Sequence, residues 1–202
     1  MRAPTVTHVI PLESRVLAMA SLGDDVFVTR PRHIDVYDAT TFALQRRLKV
    51  PELGLESYGL AVCANNKCLY ASDYSNSYIH RVELSASNAV MKWPVARGPT
   101  GLTVTSANNL LVVSRDDRKL QEFTTCGTLL RNIQLQAGID HPRGVMEVST
   151  GQFVLSYEGS SHSVCLMNVD VLEGGKSTAN LLRVYGGRSD CLLYTSPSPR
   201  DS

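Results

Sequence analysis

The segment Pro99-Thr100-Gly101-Leu102-Thr103-Val104 recurs along the chain at a nearly constant spacing. The aligned copies are Ser14-Arg15-Val16-Leu17-Ala18-Met19, Ser57-Tyr58-Gly59-Leu60-Ala61-Val62 and Pro142-Arg143-Gly144-Val145-Met146-Glu147. Their third positions are 43, 42 and 43 residues apart. Self-similarity at one spacing marks a stack of supersecondary units, none of which can bury its apolar faces alone. The chain is therefore predicted to be a repeat protein.

A second strand follows the first in every copy. The segments 26–29, 69–72, 111–114 and 153–156 are short and apolar, end in Thr or Ser, and lie 43, 42 and 42 residues apart. Polar four-residue turns, of which Ala64-Asn65-Asn66-Lys67 is typical, separate the two strands. Such turns close β-hairpins. The first and second strands of each unit are therefore predicted to pair.

Two more strands complete the unit. The third is predicted at 34–37, 79–82, 120–123 and 164–167, and the fourth at 42–48, 89–95, 129–135 and 181–185. The inner strands are more apolar than the outer ones, which is typical of a radial sheet in a β-propeller. A β-sandwich, which also has short strands at regular spacing, is the alternative. No window of ten or more residues has helical periodicity, so a β/α solenoid is disfavoured.

The predicted fold is all-β: a partial, about four-bladed piece of a six-bladed β-propeller, with four-stranded antiparallel blades in an open arc. The blades are predicted at 16–56, 57–98, 99–141 and 142–189, and residues 1–15 read as the outer strand of a preceding blade and a linker. Residues 191–201 resemble a translated transposase-type sequencing adapter, so 190–202 is interpreted as a non-native tail. We expect an internal piece of a larger protein, whose missing blades would contact both ends.

Composition places the chain among globular proteins. It is 43% apolar and 19% charged, and its net charge of +1 neither demands nor excludes a polyanionic partner. No apolar run approaches the length of a membrane span, so no membrane association is expected. Cys63, Cys68, Cys126 and Cys165 lack the spacing of a zinc site and are interpreted as packed thiols, which points to the cytoplasm.

The loops after the second and fourth strands of a four-stranded meander emerge at the same end of the sheet. In this chain those loops collect arginine, tyrosine and histidine. Arginine forks and aromatic rings serve both protein recognition and contact with RNA. A solvated role for each residue is the alternative, because Asp116, Asp117 and Glu158 can neutralise their neighbours. The candidate binding residues are Arg30, Arg32, Tyr58, Tyr74, Tyr78, Arg97, Arg115, Arg118, Lys119, His141, Arg143 and Tyr157.

The sequence signals for catalysis are few. The five histidines show no metal-binding pairing, and there is no nucleophile elbow or phosphate-binding loop. His80 lies in an outer strand and is interpreted as a surface residue. A propeller hydrolase or lactonase with a central metal is the alternative function, but its nearest candidate ligands, Asp73 and Asn109, are predicted at opposite ends of their sheets. We expect no catalytic residue, no metal and no cofactor.

The repeat resembles NHL-type six-bladed propellers, which share their broad architecture with TolB-like domains. Gly98-Pro99-Thr100-Gly101-Leu102-Thr103-Val104 and His141-Pro142-Arg143-Gly144-Val145 resemble the family's P-x-G-I-x-V entry, and Ala71-Ser72-Asp73 with Asn76 and Ile79-His80-Arg81-Val82 resembles its V-A-D-x-x-N-x-R-I-x-V run. Val184-Tyr185-Gly186-Gly187 resembles the link to a next blade, whereas 171–180 reads as an insertion. The resemblance implies a non-catalytic recognition module, often at the C-terminus of a tripartite-motif ubiquitin ligase. A protein ligand is favoured, and RNA is the other possible partner.

Overall fold

The computed structural model describes residues 15–85, 87–159, 162–171 and 177–185. These residues form sixteen β-strands and no helix. The strands are β1 Met19–Leu22, β2 Asp25–Arg30, β3 His33–Asp38, β4 Leu44–Lys49, β5 Leu60–Cys63, β6 Cys68–Asp73, β7 Tyr78–Glu83, β8 Val90–Pro94, β9 Pro99–Val104, β10 Asn109–Ser114, β11 Lys119–Thr124, β12 Leu129–Gln134, β13 Pro142–Ser149, β14 Gln152–Glu158, β15 His162–Val171 and β16 Ser177–Tyr185. Residues 1–14, 172–176 and 186–202, which include parts of the predicted outer strand, insertion and non-native tail, lie outside the described residues.

The strands form antiparallel meanders of four, as predicted. The chain divides into two compact units, Met1–Val95 and Ala96–Ser202. The first unit contains two sheets, ordered β1-β2-β3-β4 and β5-β6-β7-β8. In the second unit β9 to β12 and β13 to β16 each follow the same order. The all-β prediction with four-stranded antiparallel sheets is therefore confirmed.

The apolar core of the first unit lies between its two sheets. Phe27, Ile34, Val36 and Leu48 from the first sheet cluster with Leu60, Leu69, Ala71 and Val82 from the second. All six residues of β6 are buried, so both faces of this strand are covered. This burial explains why β6 is a continuous apolar run and not an alternating one.

The core of the second unit depends on a close approach of two inner strands. A Cβ atom on Gly101 of β9 would lie 2.6 Å from the carbonyl oxygen of Arg143 and 2.7 Å from the Cα atom of Gly144 on β13. Only a residue without a side chain fits this contact. The neighbouring cluster includes Leu111, Val113, Phe153, Leu155 and Met167, all buried.

The third repeat is shifted by one residue relative to the sequence alignment. Ser114 pairs with Lys119 across a four-residue loop, as Asp73 pairs with Tyr78 in the preceding repeat. Ser114 is therefore equivalent to Asp73, and Val113 takes the place of the hydroxyl residue Ser72. The β9–β10 ladder has a register shift between Val112 and Ser114, and the β13–β14 ladder has one at the matching place between Pro142 and Gly144, so this shift is not specific to the third repeat.

The segment interpreted as an insertion contributes to a strand. Residues 177–180 are part of β16, where Ala179 pairs with Val169 of β15. The same end of β16 pairs in parallel with β12 through Ile133 with Ser177 and Gln134 with Thr178. This pairing joins the two sheets into one eight-stranded sheet and satisfies part of the outer edge of β12.

Candidate functional site

The candidate site is the loop face of each unit, defined as the ends of the sheets that carry the β2–β3 and β6–β7 turns and the segment that enters β5 in the first unit, and the β10–β11 and β14–β15 turns and the segments that enter β9 and β13 in the second. All twelve predicted binding residues lie on these turns and segments or at the strand ends beside them. Five belong to the first unit, Arg30, Arg32, Tyr58, Tyr74 and Tyr78. Seven belong to the second, Arg97, Arg115, Arg118, Lys119, His141, Arg143 and Tyr157. The two units are described separately.

Arg30 is buried and paired, unlike its exposed neighbour Arg32. Its Nε atom lies 3.4 Å from Oδ2 of Asp35, and Asp35 is 2% exposed. Asp35 also accepts a hydrogen bond of 2.8 Å from Nε of Arg47 and lies 3.4 Å from His33. Asp35 therefore holds three basic side chains, and Arg30 is a structural member of this ionic cluster. Arg32 lies at the tip of the turn in the left-handed region, with φ of 69°.

Tyr58 and Tyr74 form an aromatic pair on the loop face of the first unit. Their ring centroids are 5.5 Å apart and the rings meet edge to face at 75°. The Tyr58 hydroxyl donates to Oε1 of Glu56 at 3.0 Å, and the Ser75 hydroxyl donates to Oε2 of the same carboxylate at 3.0 Å. Both rings are half-buried. This arrangement fixes two aromatic side chains that still present surface to solvent.

Two arginines of the second unit extend into solvent from ion pairs. Arg97 donates from Nε to Asp117 at 3.0 Å, and Arg118 donates to Asp140 at 2.9 Å. The two arginine side chains are 76% and 60% exposed. The backbone N–H of Arg97 also donates to Asp117, and this bond lowers the pKa of the Asp117 carboxyl. Lys119 is half-buried beside them.

Glu158 joins two further arginines of the second unit. Arg143 donates two hydrogen bonds to the Glu158 carboxylate, from Nε at 2.8 Å and from Nη2 at 3.0 Å. Nη2 of Arg115 lies 3.7 Å from Oε2 of the same carboxylate. The hydrogen bond from Arg143 is the main reason that the pKa of Glu158 lies below its usual value. The backbone of Glu158 donates to the carbonyl of His141, whose φ of 49° is left-handed.

A shallow cavity of about 360 Å³ adjoins this cluster. Its lining includes Arg143, Tyr157, Val164 and Tyr185. Among the described residues, each arginine of the second unit's loop face has a carboxylate partner, so this surface alternates positive and negative charge. The neutralisation expected as an alternative is therefore present, but it leaves Arg97 and Arg118 widely exposed.

The first unit also contains a buried site that the sequence analysis missed. Asp73 and His80 are 0% and 1% exposed, and Nε2 of His80 lies 3.3 Å from Oδ2 of Asp73. The interpretation of His80 as a surface residue is wrong. His80 pairs with Ala71 across β6 and β7, so its side chain is on the same buried face as Ala71 and Asp73.

Asp73 is fully engaged by donors. Its carboxylate accepts hydrogen bonds from the backbone N–H of Gly54 at 3.1 Å, from the backbone N–H of Asn76 at 3.2 Å and from Nδ2 of Asn76 at 2.9 Å. A Cβ atom on Gly54 would lie 2.5 Å from this carboxylate. The fourth neighbour is Nε2 of His80, which makes the neutral Nε2–H tautomer the consistent assignment. Burial is the main cause of the lowered pKa of His80, and the bond to Asp73 opposes it.

A cavity of about 420 Å³ opens beside this pair. It is lined by Glu52, Asp73, Asn76, Tyr78, His80 and Lys92. Lys92 pairs with Glu52, and its ammonium also lies 4.8 Å from the centre of the Tyr78 ring. The bond with Glu52 raises the pKa of Lys92. The sequence contains a signal for this site. Alternation of side chains along the strands on both sides of the 74–77 turn places Asp73, Tyr78, His80 and Lys92 on one sheet face.

No group of three or more His, Cys, Asp or Glu side chains within 15–85, 87–159, 162–171 and 177–185 could hold a metal ion. None of those residues belongs to a helix long and apolar enough to cross a membrane.

Comparisons with known proteins identify the fold of this chain but assign it to no family. No family model matches the chain, and no curated protein matches it by sequence. Among solved structures, virginiamycin B lyase from Staphylococcus aureus matches with a TM-score of 0.68 at 14% identity, over 90% of this chain and 59% of that chain. Hydrazine synthase from Kuenenia stuttgartiensis matches with a TM-score of 0.67 at 13% identity, over 89% of this chain and 53% of that chain.

The WD40 repeats of RRP9 match with a TM-score of 0.64 at 12% identity, over 84% of this chain and 52% of that chain. The chain thus spans between about half and three fifths of the length of these structures. The likeness confirms the fold class: the described sheets are those of a partial β-propeller. Propellers with this likeness include both a lyase and a WD40 protein.

Proposed function

We propose that this chain is a non-catalytic binding scaffold that recognises a protein partner through its loop face. The observation that carries the proposal is the alternation of exposed arginines and carboxylates in the second unit. Arg97 and Arg118 are bonded to Asp117 and Asp140, respectively, and most of each arginine side chain remains exposed to solvent. Arginine and tyrosine are enriched among residues that dominate protein interfaces. The Tyr58–Tyr74 pair supplies the aromatic component in the first unit.

A protein partner fits this surface better than RNA. Phosphate backbones are attracted by uncompensated positive charge, and log affinity for them falls linearly with log salt. Here Asp117, Asp140 and Glu158 lie within hydrogen-bond distance of the cations that would contact phosphates. A surface of both signs is complementary to another protein with both signs, and such complementarity favours specificity.

The proposal extends to the parent protein. We infer an NHL-type, six-bladed propeller that selects targets for a tripartite-motif ubiquitin ligase, supported by the entry segments that contain Pro99 and Pro142 and by the run from Asp73 to Val82. The proposed setting is the cytoplasm. Cys63, Cys68 and Cys165 are buried as thiols within strands, which fits a reducing compartment, whereas Cys126 is exposed and is not a packed thiol.

The test is proximity labelling in cells with loop-face variants of the chain. One variant carries Tyr58→Ser and Tyr74→Ser, the other Arg97→Ser and Arg118→Ser. Arg46→Ser is the matched control, because Arg46 is an exposed, ion-paired arginine on an outer strand. We expect labelling of specific proteins to fall by about 30-fold in at least one loop-face variant, as for loss of a hot-spot residue, and to persist in the control. An identical set of labelled proteins in all variants would contradict the proposal.

RNA binding is measured separately by fluorescence anisotropy with a single-stranded RNA. Over a series from about 50 to 200 mM salt, an RNA ligand would lose affinity steeply. We expect no such binding at the low end of the series. Tight binding there, abolished by Arg97→Ser and Arg118→Ser, would replace the protein partner by RNA.

A further inference from the structure

Basic side chains gather at the loop-face end of the first sheet. Arg30 of β2 lies opposite His33 of β3, and His33 lies opposite Lys49 of β4. Arg47 lies two residues before Lys49 and is on the same sheet face, and Arg32 is in the turn that joins Arg30 to His33. We call these five residues the basic patch. Side chains at such short distances repel one another wherever both are charged.

One buried carboxylate compensates part of this charge. Asp35 lies on the same face of β3 and contacts Arg30, His33 and Arg47. It is 2% exposed, so a ligand outside the sheet meets the cations and not the carboxylate. The charges of the patch are therefore unequal, with one acid beside several bases.

No second carboxylate of these strands lies on the face of the basic patch. Asp25 and Asp38 pair with each other across β2 and β3, and the alternation of side chains places both on the opposite face. Glu52, which follows β4 in the sequence, pairs with Lys92 of the second sheet. On β2, β3 and β4 the face of the basic patch is therefore net positive, unlike the loop face of the second unit, where each described arginine has a carboxylate partner.

Four of the five basic side chains can be reached from solvent. The Arg47 side chain is 54% exposed and that of His33 is 24% exposed. Arg32 and Lys49 are exposed, and neither side chain has an ion pair or a hydrogen bond among the described residues. Arg30 is buried and belongs to the support of Asp35. The accessible charge of the patch thus comes from the turn and from β4.

We propose that the basic patch binds an acidic segment of the protein partner, with at least two carboxylates. This inference rests on the proposed function and names the chemistry of the partner. From β2 to β4 the patch spans two strand spacings, about 10 Å, which is too wide for one carboxylate. Alternate side chains of an extended peptide are about 7 Å apart, so two acidic residues of one segment reach different cations together. Opposite charge across an interface favours both encounter and specificity.

An acidic peptide fits this patch better than RNA. Proteins that bind single-stranded RNA combine a basic groove with exposed aromatic rings on which bases stack. The aromatic residue on this face of β2 to β4 is Tyr37, which is 7% exposed and presents no ring for stacking. The patch therefore supplies charge without a surface for bases.

Fluorescence anisotropy on the full chain tests the proposal. The probes are labelled hexaglutamate, hexaglutamine and the RNA hexauridylate, each at about 50 and 200 mM salt. We expect hexaglutamate to bind at the lower salt concentration and to bind more weakly at the higher one, because salt screens exposed charges. Absence of hexaglutamate binding, or equal binding of hexaglutamine, would overturn the proposal. Tighter binding of hexauridylate than of hexaglutamate would overturn it in favour of RNA.

Variants locate the binding. Arg32→Asn combined with Lys49→Gln removes two exposed charges, and Asn tolerates the left-handed backbone at position 32. We expect hexaglutamate affinity to fall about tenfold, the usual effect of two exposed ion pairs. The matched control is Lys67→Asn with Arg46→Gln. Lys67 also has a left-handed backbone but lies in the β5–β6 turn, and Arg46 is on the opposite face of β4. Equal weakening in both double variants would refute the assignment.

The same variants separate this inference from the proposed function. If hexaglutamate does not bind but proximity labelling still depends on the loop-face substitutions, only the acidic segment is wrong. If hexaglutamate binds at the patch but the labelled proteins are identical in all loop-face variants, the proposed function fails, and the assignment of the patch to a protein partner fails with it.

Discussion

His80 shows how one buried side chain makes stability depend on pH. Burial lowers its pKa in the folded chain, whereas an unfolded histidine has a pKa near 6.5. Between these two values the unfolded chain binds more protons than the folded chain. The free energy of unfolding must therefore fall as the pH decreases below about 6.5, and the fall ends below the folded pKa.

The corresponding prediction is that His80→Gln removes this pH dependence. The urea concentration at the midpoint of unfolding, measured at pH 7.5, 6.5 and 5.5, should decrease for the unsubstituted chain and remain constant for His80→Gln. The carboxyls whose pKa is lowered, such as Asp117 and Glu158, have ordinary values of 3.8 and 4.5, so their contribution is lost only at more acidic pH. His162→Gln, a change at an exposed histidine, should show the same decrease with pH as the unsubstituted chain. A parallel decrease in His80→Gln would refute the assignment.

Gly101 is a second position where one residue type is required. Its added Cβ would lie 2.6 Å from a backbone oxygen and 2.7 Å from a backbone carbon, and neither atom can move without shifting β13. Gly144 is the matched control, because its Cβ would meet only the Ser156 hydroxyl, at 3.1 Å. We predict that Gly101→Ala lowers the free energy of unfolding by about 1–3 kcal/mol, the usual cost of overpacking. Gly144→Ala should cost less, and equal costs in urea denaturation would disprove the explanation.

The candidate binding residues could be predicted by type but not by exposure. In the sequence alignment Arg30 and Arg115 occupy the same position, yet Arg30 is the last residue of β2 and is buried against Asp35, whereas Arg115 lies in the turn after β10. Period-two alternation places Asp35 on a sheet face, but it does not say whether that face is covered. The same limit explains why His80 was interpreted as a surface residue. The residues that lie near it, Glu52 and Lys92, come from segments that are distant in sequence, so the local pattern does not show that this face is covered.

Among the strands, the hydroxyl residue one or two positions before the end of β2, β6 and β14 has a defined role. The hydroxyl oxygens of Thr29, Ser72 and Ser156 accept hydrogen bonds from the backbone N–H groups of Ala18, Gly59 and Gly144 at 2.7, 2.8 and 3.0 Å. Each bond ties the inner strand to its neighbour where the regular ladder ends. The Ser114 hydroxyl, shifted by one residue, has no such partner among the described residues.

This difference predicts opposite effects for two identical substitutions. Ser72→Ala leaves the N–H of Gly59 without its acceptor and should lower the free energy of unfolding by about 1–3 kcal/mol. Ser114→Ala removes a buried hydroxyl that has no partner and should be neutral or stabilising. Chemical denaturation of both variants compares them directly. A larger loss for Ser114→Ala than for Ser72→Ala would contradict the assigned roles.

The positions of the strands could be predicted because each repeat contains two short apolar runs around a polar turn. All four predicted second strands lie within β2, β6, β10 and β14. Register was harder to predict, because Val113 and Ser114 both fit a buried strand end and only the length of the 115–118 loop distinguishes them. The pairing of β16 with β12 could not be predicted, since contact between strands of different repeats leaves no periodic signal.

One face of the sheet formed by β13 to β16 is left without a covering layer among the described residues. Met146, Val148, Val164 and Tyr185 lie on the same face of β13 to β16 and are 57%, 48%, 38% and 49% exposed. The opposite face of these strands carries Phe153, Leu155 and Met167, which are buried in the core of the second unit. Exposed apolar side chains that share one sheet face promote association.

We therefore predict that the isolated chain self-associates as its concentration rises through the micromolar range and above. Light scattering during size-exclusion chromatography should give an average mass that exceeds the 22.1 kDa of one chain and increases with loading. Met146→Lys combined with Val164→Lys should return the mass towards that of one chain, because charges on this face oppose its burial. Met91→Lys, at an exposed methionine on the outer strand β8, should leave the association unchanged. If the parent chain keeps the mass of one chain at every loading, or if Met91→Lys acts as strongly as the double substitution, this sheet face is not what drives association.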